Sequence, residues 1–226
     1  MEKKRTLKER IDRIIHAGEI ELAGEVYKGK YELNNVKSIK NFILDKLRLN
    51  EKGKNKVYIN VDTGKKISIS GNSAGKLTSH YKYGETYQKT IAHLQRIIEN
   101  MKFLEEMSPD KENSKFGNYS YYITRANIDG ESYTILSTVG HNEYGIYYDQ
   151  NVFEGTPKEV FKEAKTSNDN KYSRLKEILK EEAADPSELH SGDKSQPAST
   201  NKYTKISPDV QGEPPPKGLR FAAIVN

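Results

Sequence analysis

The sequence predicts an α+β fold in which an antiparallel sheet, made of a hairpin and a three-strand meander, packs on a long helix. Two observations carry this prediction. Apolar and polar residues alternate over residues 57–70 and again over residues 119–148, as they do in half-buried strands. Between these stretches, residues 86–107 repeat apolar side chains at spacings of three and four, as on one face of a helix. N-terminal helices and a disordered C-terminal tail complete the predicted architecture.

Three elements are predicted in the first part of the chain. Residues 6–16 place apolar side chains at helical spacing, and residues 25–27 form a short strand. A second amphipathic helix, residues 36–47, comes after the candidate N-caps Asn34 and Asn35. These helices need a partner surface, either on the following domain or on another chain. Residues 1–55 are therefore predicted to form a basic helical segment.

The central part, residues 56–183, is predicted to be one α+β domain. Its hairpin turns at Asp62-Thr63-Gly64, and Asp129-Gly130 marks a second tight turn because that dipeptide suits positive φ angles. Thr156-Pro157 is a typical helix start, with an N-cap followed by proline. The predicted elements in order are strands in 57–70, a Gly-rich break at 71–75, a helical turn at 76–80, the helix 86–107, strands 119–128, 131–139 and 144–148, and helices from 157 and over 172–183.

The composition predicts that part of the chain, including the C-terminal residues, lies outside a folded core. Of 226 residues, 34% are hydrophobic and the mean hydropathy is −0.87, so part of the chain is expected to lie outside a core. Residues 184–226, rich in Asp, Ser, Pro, Gly and Lys, are predicted to be a disordered tail or linker. Residues 219–225 are more apolar and are expected to dock as a peptide on a partner or on the chain's own domain.

Several classes of protein are excluded. The chain contains no cysteine, which rules out disulfides, thiolate zinc sites and thiol nucleophiles. The basic residues 1–5 are followed by charged residues, which do not fit a signal peptide, and no stretch approaches membrane-spanning length. The sequence therefore predicts a soluble cytoplasmic protein with no membrane partner.

The net charge of +5 is concentrated near the N-terminus. Residues 1–56 carry 15 basic and 9 acidic side chains, whereas residues 57–226 carry 22 and 23. A surface that binds nucleic acid would need this excess clustered on one face. A solvated helix surface with a modest imbalance is the ordinary alternative.

Motifs for nucleotides and metals are missing. Residues 71–78, Gly-Asn-Ser-Ala-Gly-Lys-Leu-Thr, differ from a phosphate loop in the spacing of the glycines and in the leucine before Thr78. Such a turn can still bind an anion on backbone N–H groups, or it can simply connect two elements. No two of the five histidines have the helical spacing of a metal site. We therefore expect no cofactor and no metal.

Two histidines and the tyrosines are the candidates for function. His93 lies at the margin of the apolar stripe of the long helix, and His80 lies in a polar turn beside Lys76, where loops on rigid strands commonly carry function. Each can also be a structural histidine, half-buried and satisfied by a hydrogen bond. The chain has 15 tyrosines and no tryptophan. Alternation sends neighbours such as Tyr147 and Tyr148 to opposite faces, so one set can pack inward while the other contacts bases or phosphate; tyrosine also simply suits half-buried strands.

The order of these elements and the sequences of some of them resemble a known family. The segments that carry the resemblance are residues 56–70, Ile91-Ala92-His93-Leu94, the Asp129-Gly130 hairpin and Ile146-Tyr147-Tyr148-Asp149. They are similar to the phage-associated nuclease-like domains at the C-termini of head-morphogenesis and large polyvalent proteins, which are grouped with the barnase, EndoU, colicin and RelE-like fold. The Pro-rich stretch ending in residues 218–221 is similar to the segments found after such domains, and the resemblance covers residues 25–180.

The resemblance implies a phage-derived effector of the host cytoplasm that cleaves RNA without a metal. In such cleavage a base activates a ribose 2′-hydroxyl for attack on the adjacent phosphorus. By position, His80 or His93 would act as base or acid, Lys76 would hold phosphate, and Thr138 or Tyr147 would donate a hydrogen bond from the sheet. The alternative is a non-catalytic phage-derived protein that blocks a host or phage protein, or a nucleic-acid machine, through its sheet, its N-terminal helices or its tail.

Overall fold

A computed structural model of the chain describes residues 5–23, 27–28, 31–32, 35–80, 84–108, 117–142 and 145–182. Side chains are described in the same ranges except at residues 27–28, 31–32, 141–142, 145–147 and 181–182. The predicted tail, residues 184–226, lies outside the described residues, and the predicted domain limits stay a prediction.

The α+β class is confirmed, with runs of helices and runs of strands along the chain. The helices are α1 Leu7–Ile15, α2 Val36–Phe42 continued by a π-helical stretch Ile43–Arg48, α3 Gly71–Ser79, α4 Gly84–Ala92, α5 Leu94–Asn100, α6 Pro157–Thr166, a 3₁₀ turn Asn170–Tyr172 and α7 Ser173–Glu182. The strands are β1 Ile20–Glu21, β2 Tyr27–Lys28, β3 Tyr31–Glu32, β4 Tyr58–Ile59, β5 Lys66–Ile67, β6 Lys102–Met107, β7 Asn118–Ile128, β8 Glu131–Asn142 and β9 Gly145–Glu154.

A five-stranded mixed sheet organises these elements. The strands β7, β8 and β9 form the predicted antiparallel meander, and the other edge of β7 pairs with β6 antiparallel and with β1 parallel. The predicted turn between β7 and β8 is confirmed, since Asp129 has φ 55° and Gly130 has φ 91°. The predicted hairpin of residues 57–70 is also confirmed, as the separate two-stranded pair of β4 and β5.

Apolar cores cover both faces of the sheet. On the first face, α2, α3, α4 and α5 pack against the tyrosines Tyr122 and Tyr148 and against Val139. On the second face, α1, α6 and α7 pack against Tyr121, Ile123 and Leu136. Strand alternation predicted that one set of tyrosines packs inward and the other faces outward. In the structure, Tyr122 and Tyr148 are buried on the first face and Tyr121 is buried on the second. The N-terminal helices find their partner surface on the same chain.

The predicted helix over residues 86–107 is interrupted at His93 and is wrong over residues 101–107. Two helices, α4 and α5, meet at His93, and Lys102–Met107 is the strand β6 rather than helix. Met101 and Leu104 satisfy the helical spacing of three, but the sequence of this segment also fits a strand, since Phe103 and Leu104 point to opposite cores. Pairing with the edge of β7 decides between the two, because it satisfies the backbone of residues 102–107.

The Gly-rich break at residues 71–75 is also wrong, because these residues form the first turns of α3. Ser70 caps the helix by accepting the backbone N–H of Ser73, and the Ser73 hydroxyl reaches back to the Ser70 backbone. This capping box compensates for the poor helix propensity of Gly71 and Gly75. The helix start predicted at Thr156-Pro157 is confirmed, with Glu159 completing its capping box.

Candidate functional site

A buried pair of His80 and Asp149 lies where α3 meets the edge strand β9. The Nε2 atom of His80 is 3.1 Å from Oδ1 of Asp149, and the two residues are 9% and 8% exposed. The His80 ring is tilted against the ring of Tyr87, with 5.6 Å between their centres. A carboxylate and an aromatic ring therefore fix the orientation of one imidazole.

Helix α3 brings His80 to this place because it lies along β9. At the edge of the described sheet, β9 presents backbone N–H groups that a neighbouring strand would otherwise pair. The Ser73 hydroxyl accepts one of them, from Tyr148, at 2.9 Å. His80 is the C-cap of the same helix, so the bond near its start fixes the position of its end.

A buried chain of hydrogen bonds holds α4 on the same strand. Gln150 Nε2 donates to Thr90 Oγ1 at 2.6 Å, and Thr90 Oγ1 donates to the carbonyl of Tyr87 at 2.6 Å. The Tyr148 hydroxyl lies 3.1 Å from Gln150 Oε1 and 2.9 Å from Ser137 Oγ. Burial raises the pKa of Tyr148, so its hydroxyl stays protonated. This chain sets the position of Tyr87 and with it one wall of the His80 site.

The other predicted site residues Thr138, Lys76 and Tyr147 lie on β8, α3 and β9. Thr138 is paired with Asp149 in the register of β8 and β9, and so the two side chains leave the sheet on the same face. Lys76 lies one turn before His80 on α3 and is exposed. Tyr147 is paired with Gly140 in β9, and its side chain lies outside the described residues.

His93 occupies a different helix end. It is the N-cap of α5, its side chain is half-buried, and its carbonyl accepts the Ile97 N–H at 3.1 Å. It follows Tyr87, the α4 residue that contacts His80, by six positions, which is about 9 Å along a helix. The two histidines that the sequence treats as equivalent are thus at the C-terminus of one helix and the N-terminus of another.

Asp149 is the site residue that the sequence analysis missed. It appears there only as the last residue of the Ile146–Asp149 segment. Nothing in a single sequence joins it to His80, because 69 positions separate them. The signal that was available is a charged residue within a strand of largely apolar and aromatic residues, where a buried carboxylate needs a partner.

The fold and this pair define an α+β domain with an oriented, buried histidine at a sheet edge. Residues 34–148 match the family model described as large polyvalent protein-associated domain 3, which covers half of the chain. The chain belongs to this family and is therefore a phage-associated polyvalent-protein domain. No curated protein and no solved structure matches the chain. The match includes His80 and His93 and ends one residue before Asp149.

Two further observations concern the described part of the chain only. None of its helices combines the length and the apolar composition needed to cross a bilayer. No three of its histidine and acidic side chains are grouped so that they could hold a metal ion.

Proposed function

We propose that this phage-associated domain cleaves RNA without a metal, with His80 as the proton-transfer group and Asp149 as the residue that orients it. The observation that carries the proposal is the 3.1 Å contact between His80 Nε2 and Asp149 Oδ1, both in buried side chains. A carboxylate on one imidazole nitrogen fixes the tautomer and the direction of the ring, which prepares the imidazole for proton transfer.

The chemical step is an attack within the RNA chain. His80 takes the proton of a ribose 2′-hydroxyl, and the 2′-oxygen forms a bond to the adjacent phosphorus. The bond from that phosphorus to the 5′-oxygen of the next nucleotide breaks, and the leaving oxygen takes a proton from water. The products are a 2′,3′-cyclic phosphate and a free 5′-hydroxyl. In this proposal Lys76, which is exposed one turn before His80, binds the phosphate, and Thr138, which pairs with Asp149 in the sheet, donates a hydrogen bond to it.

The test is cleavage of total RNA in the presence of EDTA by the wild type and by His80→Ala, Asp149→Asn, His93→Ala and His16→Ala. His16 is exposed and its ring contacts a carbonyl within its own helix, which makes His16→Ala the matched control. Removal of a general base lowers rates by about 10²–10⁴-fold. We expect that loss for His80→Ala, a smaller loss for Asp149→Asn, and wild-type cleavage for His16→Ala, with cyclic phosphate ends on the products.

Folding must be separated from catalysis, because His80 is buried. Thermal melting of each variant identifies any that fail to fold, and His80→Gln offers a second variant that keeps a hydrogen-bonding side chain. Loss of cleavage in His93→Ala with full cleavage in folded His80→Ala or His80→Gln would reverse the roles of the two histidines. Absence of cleavage by the wild type would leave the non-catalytic binding protein as the better account of this domain.

A further inference from the structure

A cleft of about 570 Å³ lies between the hairpin β4–β5 and the paired strands β6 and β7. Its lining residues, most of which carry polar side chains, are Lys65, Lys66, Glu106, Gly117, Asn118 and Ser120. The volume lies within the range of small-molecule sites in proteins. None of these residues belongs to the His80 and Asp149 site, so the cleft needs an explanation of its own.

Glu106 is the centre of the hydrogen bonds in this cleft. Its Oε1 accepts Asn118 Nδ2 at 3.0 Å, and its Oε2 accepts Lys65 Nζ at 3.1 Å and Ser120 Oγ at 3.2 Å. The bonds from Asn118 and Lys65 lower the pKa of Glu106, so the carboxylate is ionised at neutral pH. Lys65 also donates to Ser120 Oγ at 3.1 Å. The cleft thus holds a fixed negative charge beside a fixed positive charge.

These charges are open to a ligand. The side chains of Lys65 and Glu106 are 39% and 42% exposed, and Lys66 is exposed as well. An ion pair of this exposure stabilises a fold by only about 0–1 kcal/mol, so replacing one partner by a ligand group costs little. The ammonium of Lys65 also lies 5.8 Å from the centre of the Phe103 ring, which restricts where it can move.

The buried hydroxyl of Tyr122 interacts with residues that line the cleft. Tyr122 is fully buried, and its hydroxyl lies near Lys65, Thr63 and Ser120. Burial raises the pKa of Tyr122, against smaller opposite effects of Lys65, Thr63 and Ser120, so the hydroxyl remains a donor at neutral pH.

We propose that this cleft binds a ribonucleotide, with the phosphate on Lys65 and Lys66 and a ribose hydroxyl donating to the carboxylate of Glu106. A simple anion would be repelled by Glu106, and a simple cation by the two lysines. A ligand that carries both an anionic group and hydroxyl donors satisfies both parts of the lining, and Asn118 supplies an amide for a further polar contact. The ligand is either a free ribonucleotide or one residue of an RNA chain. The inference does not depend on the activity proposed for His80.

The test measures binding to the full chain by titration calorimetry. The probes are inorganic phosphate, a ribonucleoside 5′-monophosphate, its 2′-deoxy counterpart and a short single-stranded RNA. The variants are Lys65→Ala, Lys66→Ala and Glu106→Gln, with Lys158→Ala, an exposed lysine of α6, as the matched control. RNA binding is measured with His80→Ala as well, so that cleavage cannot deplete the probe.

We expect Lys65→Ala and Lys66→Ala to weaken binding of the ribonucleotide and of RNA by about tenfold, since each removes a charged hydrogen bond. Glu106→Gln should abolish a roughly tenfold preference for the ribose over the deoxyribose form, since it removes a charged acceptor, and should not weaken binding of inorganic phosphate. Tight binding of the monophosphate alone identifies the free nucleotide as the ligand, and tighter binding of RNA identifies the chain.

The inference is overturned if the wild type binds neither nucleotide nor RNA, or if Lys65→Ala and Lys66→Ala bind as tightly as Lys158→Ala. Equal affinity of the wild type for the two sugar forms would overturn the role of Glu106. If the wild type binds as expected but never cleaves RNA, the cleft stands and only the role proposed for His80 fails. If the wild type cleaves RNA but Lys65→Ala and Lys66→Ala bind as tightly as the wild type, the role proposed for His80 stands and the proposed ligand site in the cleft fails.

Discussion

Replacement of Asn60 by a residue of similar volume should strongly lower the free energy of unfolding. Asn60 is fully buried, and its Nδ2 donates to the carbonyls of Ile98 at 3.0 Å and Met101 at 2.7 Å. Its Oδ1 accepts the backbone N–H and the hydroxyl of Thr63, at 3.0 and 2.8 Å. One amide thus joins the turn after β4 to the end of α5. Asn60→Leu keeps the volume and leaves two buried carbonyls without donors, each at about 1–3 kcal/mol, so we expect a loss of about 4 kcal/mol.

Urea unfolding followed by circular dichroism measures this loss, with Thr63→Val as the control. That control keeps Asn60 and removes the hydroxyl bond to it together with the longer bond that the Thr63 hydroxyl accepts from the Lys65 N–H, at 3.3 Å, so it should cost about 1–2 kcal/mol. Asn60→Asp is a further arm, since it sets a carboxylate against the same two carbonyls. Burial raises the pKa of such a carboxyl, so the variant should lose stability as the pH rises above about 4. A free energy of unfolding for Asn60→Leu within about 1 kcal/mol of the wild type would refute the reasoning.

Three smaller perturbations concern other contacts of the same kind. Arg13 contacts both carboxylate oxygens of the buried Asp62, at 2.7 and 2.8 Å, so Arg13→Ala should lower stability by about 2 kcal/mol and Arg13→Lys by less; equal melting temperatures for the two variants would contradict this. Burial raises the pKa of Tyr58 to about 12, and its hydroxyl donates to the carbonyl of Leu47. The protonated form is therefore favoured by folding, and stability should fall from about pH 10 to 12, less steeply in Tyr58→Phe, as read from urea midpoints. The pKa of Glu106 is lowered by Asn118 and Lys65, so its contribution exists above its unfolded pKa and is lost as the pH falls. The stability difference between the wild type and Glu106→Gln, at most about 1 kcal/mol, should vanish in acid, and a difference that grows in acid would show the wrong sign.

Local signals predicted the parts of the fold that depend on a few neighbouring residues. Asp129-Gly130 is a tight turn and Thr156-Pro157 is a helix start, because positive φ angles and capping are properties of the residues themselves. The helix predicted for residues 102–107 was wrong because their structure depends on a distant segment of the chain. Their apolar spacing fits a helix and a strand alike, and only the unpaired edge of β7, formed later in the chain, decides between them.

The candidate site was predicted in part for a related reason. His80 stood out because it is a polar residue in a predicted helical turn, and it is the C-cap of the helix α3. Its partner Asp149 comes from the last strand of the meander, and the pairing exists only once α3 covers the edge of β9. The cleft around Glu106 is similarly assembled from three separate segments. Single-sequence reasoning finds residues that can do chemistry, but the contacts between them are made by the tertiary fold.

The apolar core on the second face of the sheet determines where a fragment of this domain can be cut for expression. The matched segment, residues 34–148, contains Tyr121, Ile123 and Leu136, whereas α1, α6 and α7, which cover them, lie outside it. It also stops inside β9, so the sheet would lose residues 149–154, more than half of its last strand. The stretch that sequence similarity recognises is thus shorter than the stretch that buries its own apolar surface. A fragment trimmed to the similarity would expose one whole face of its sheet to water and should self-associate, so boundaries for expression belong where the second core closes.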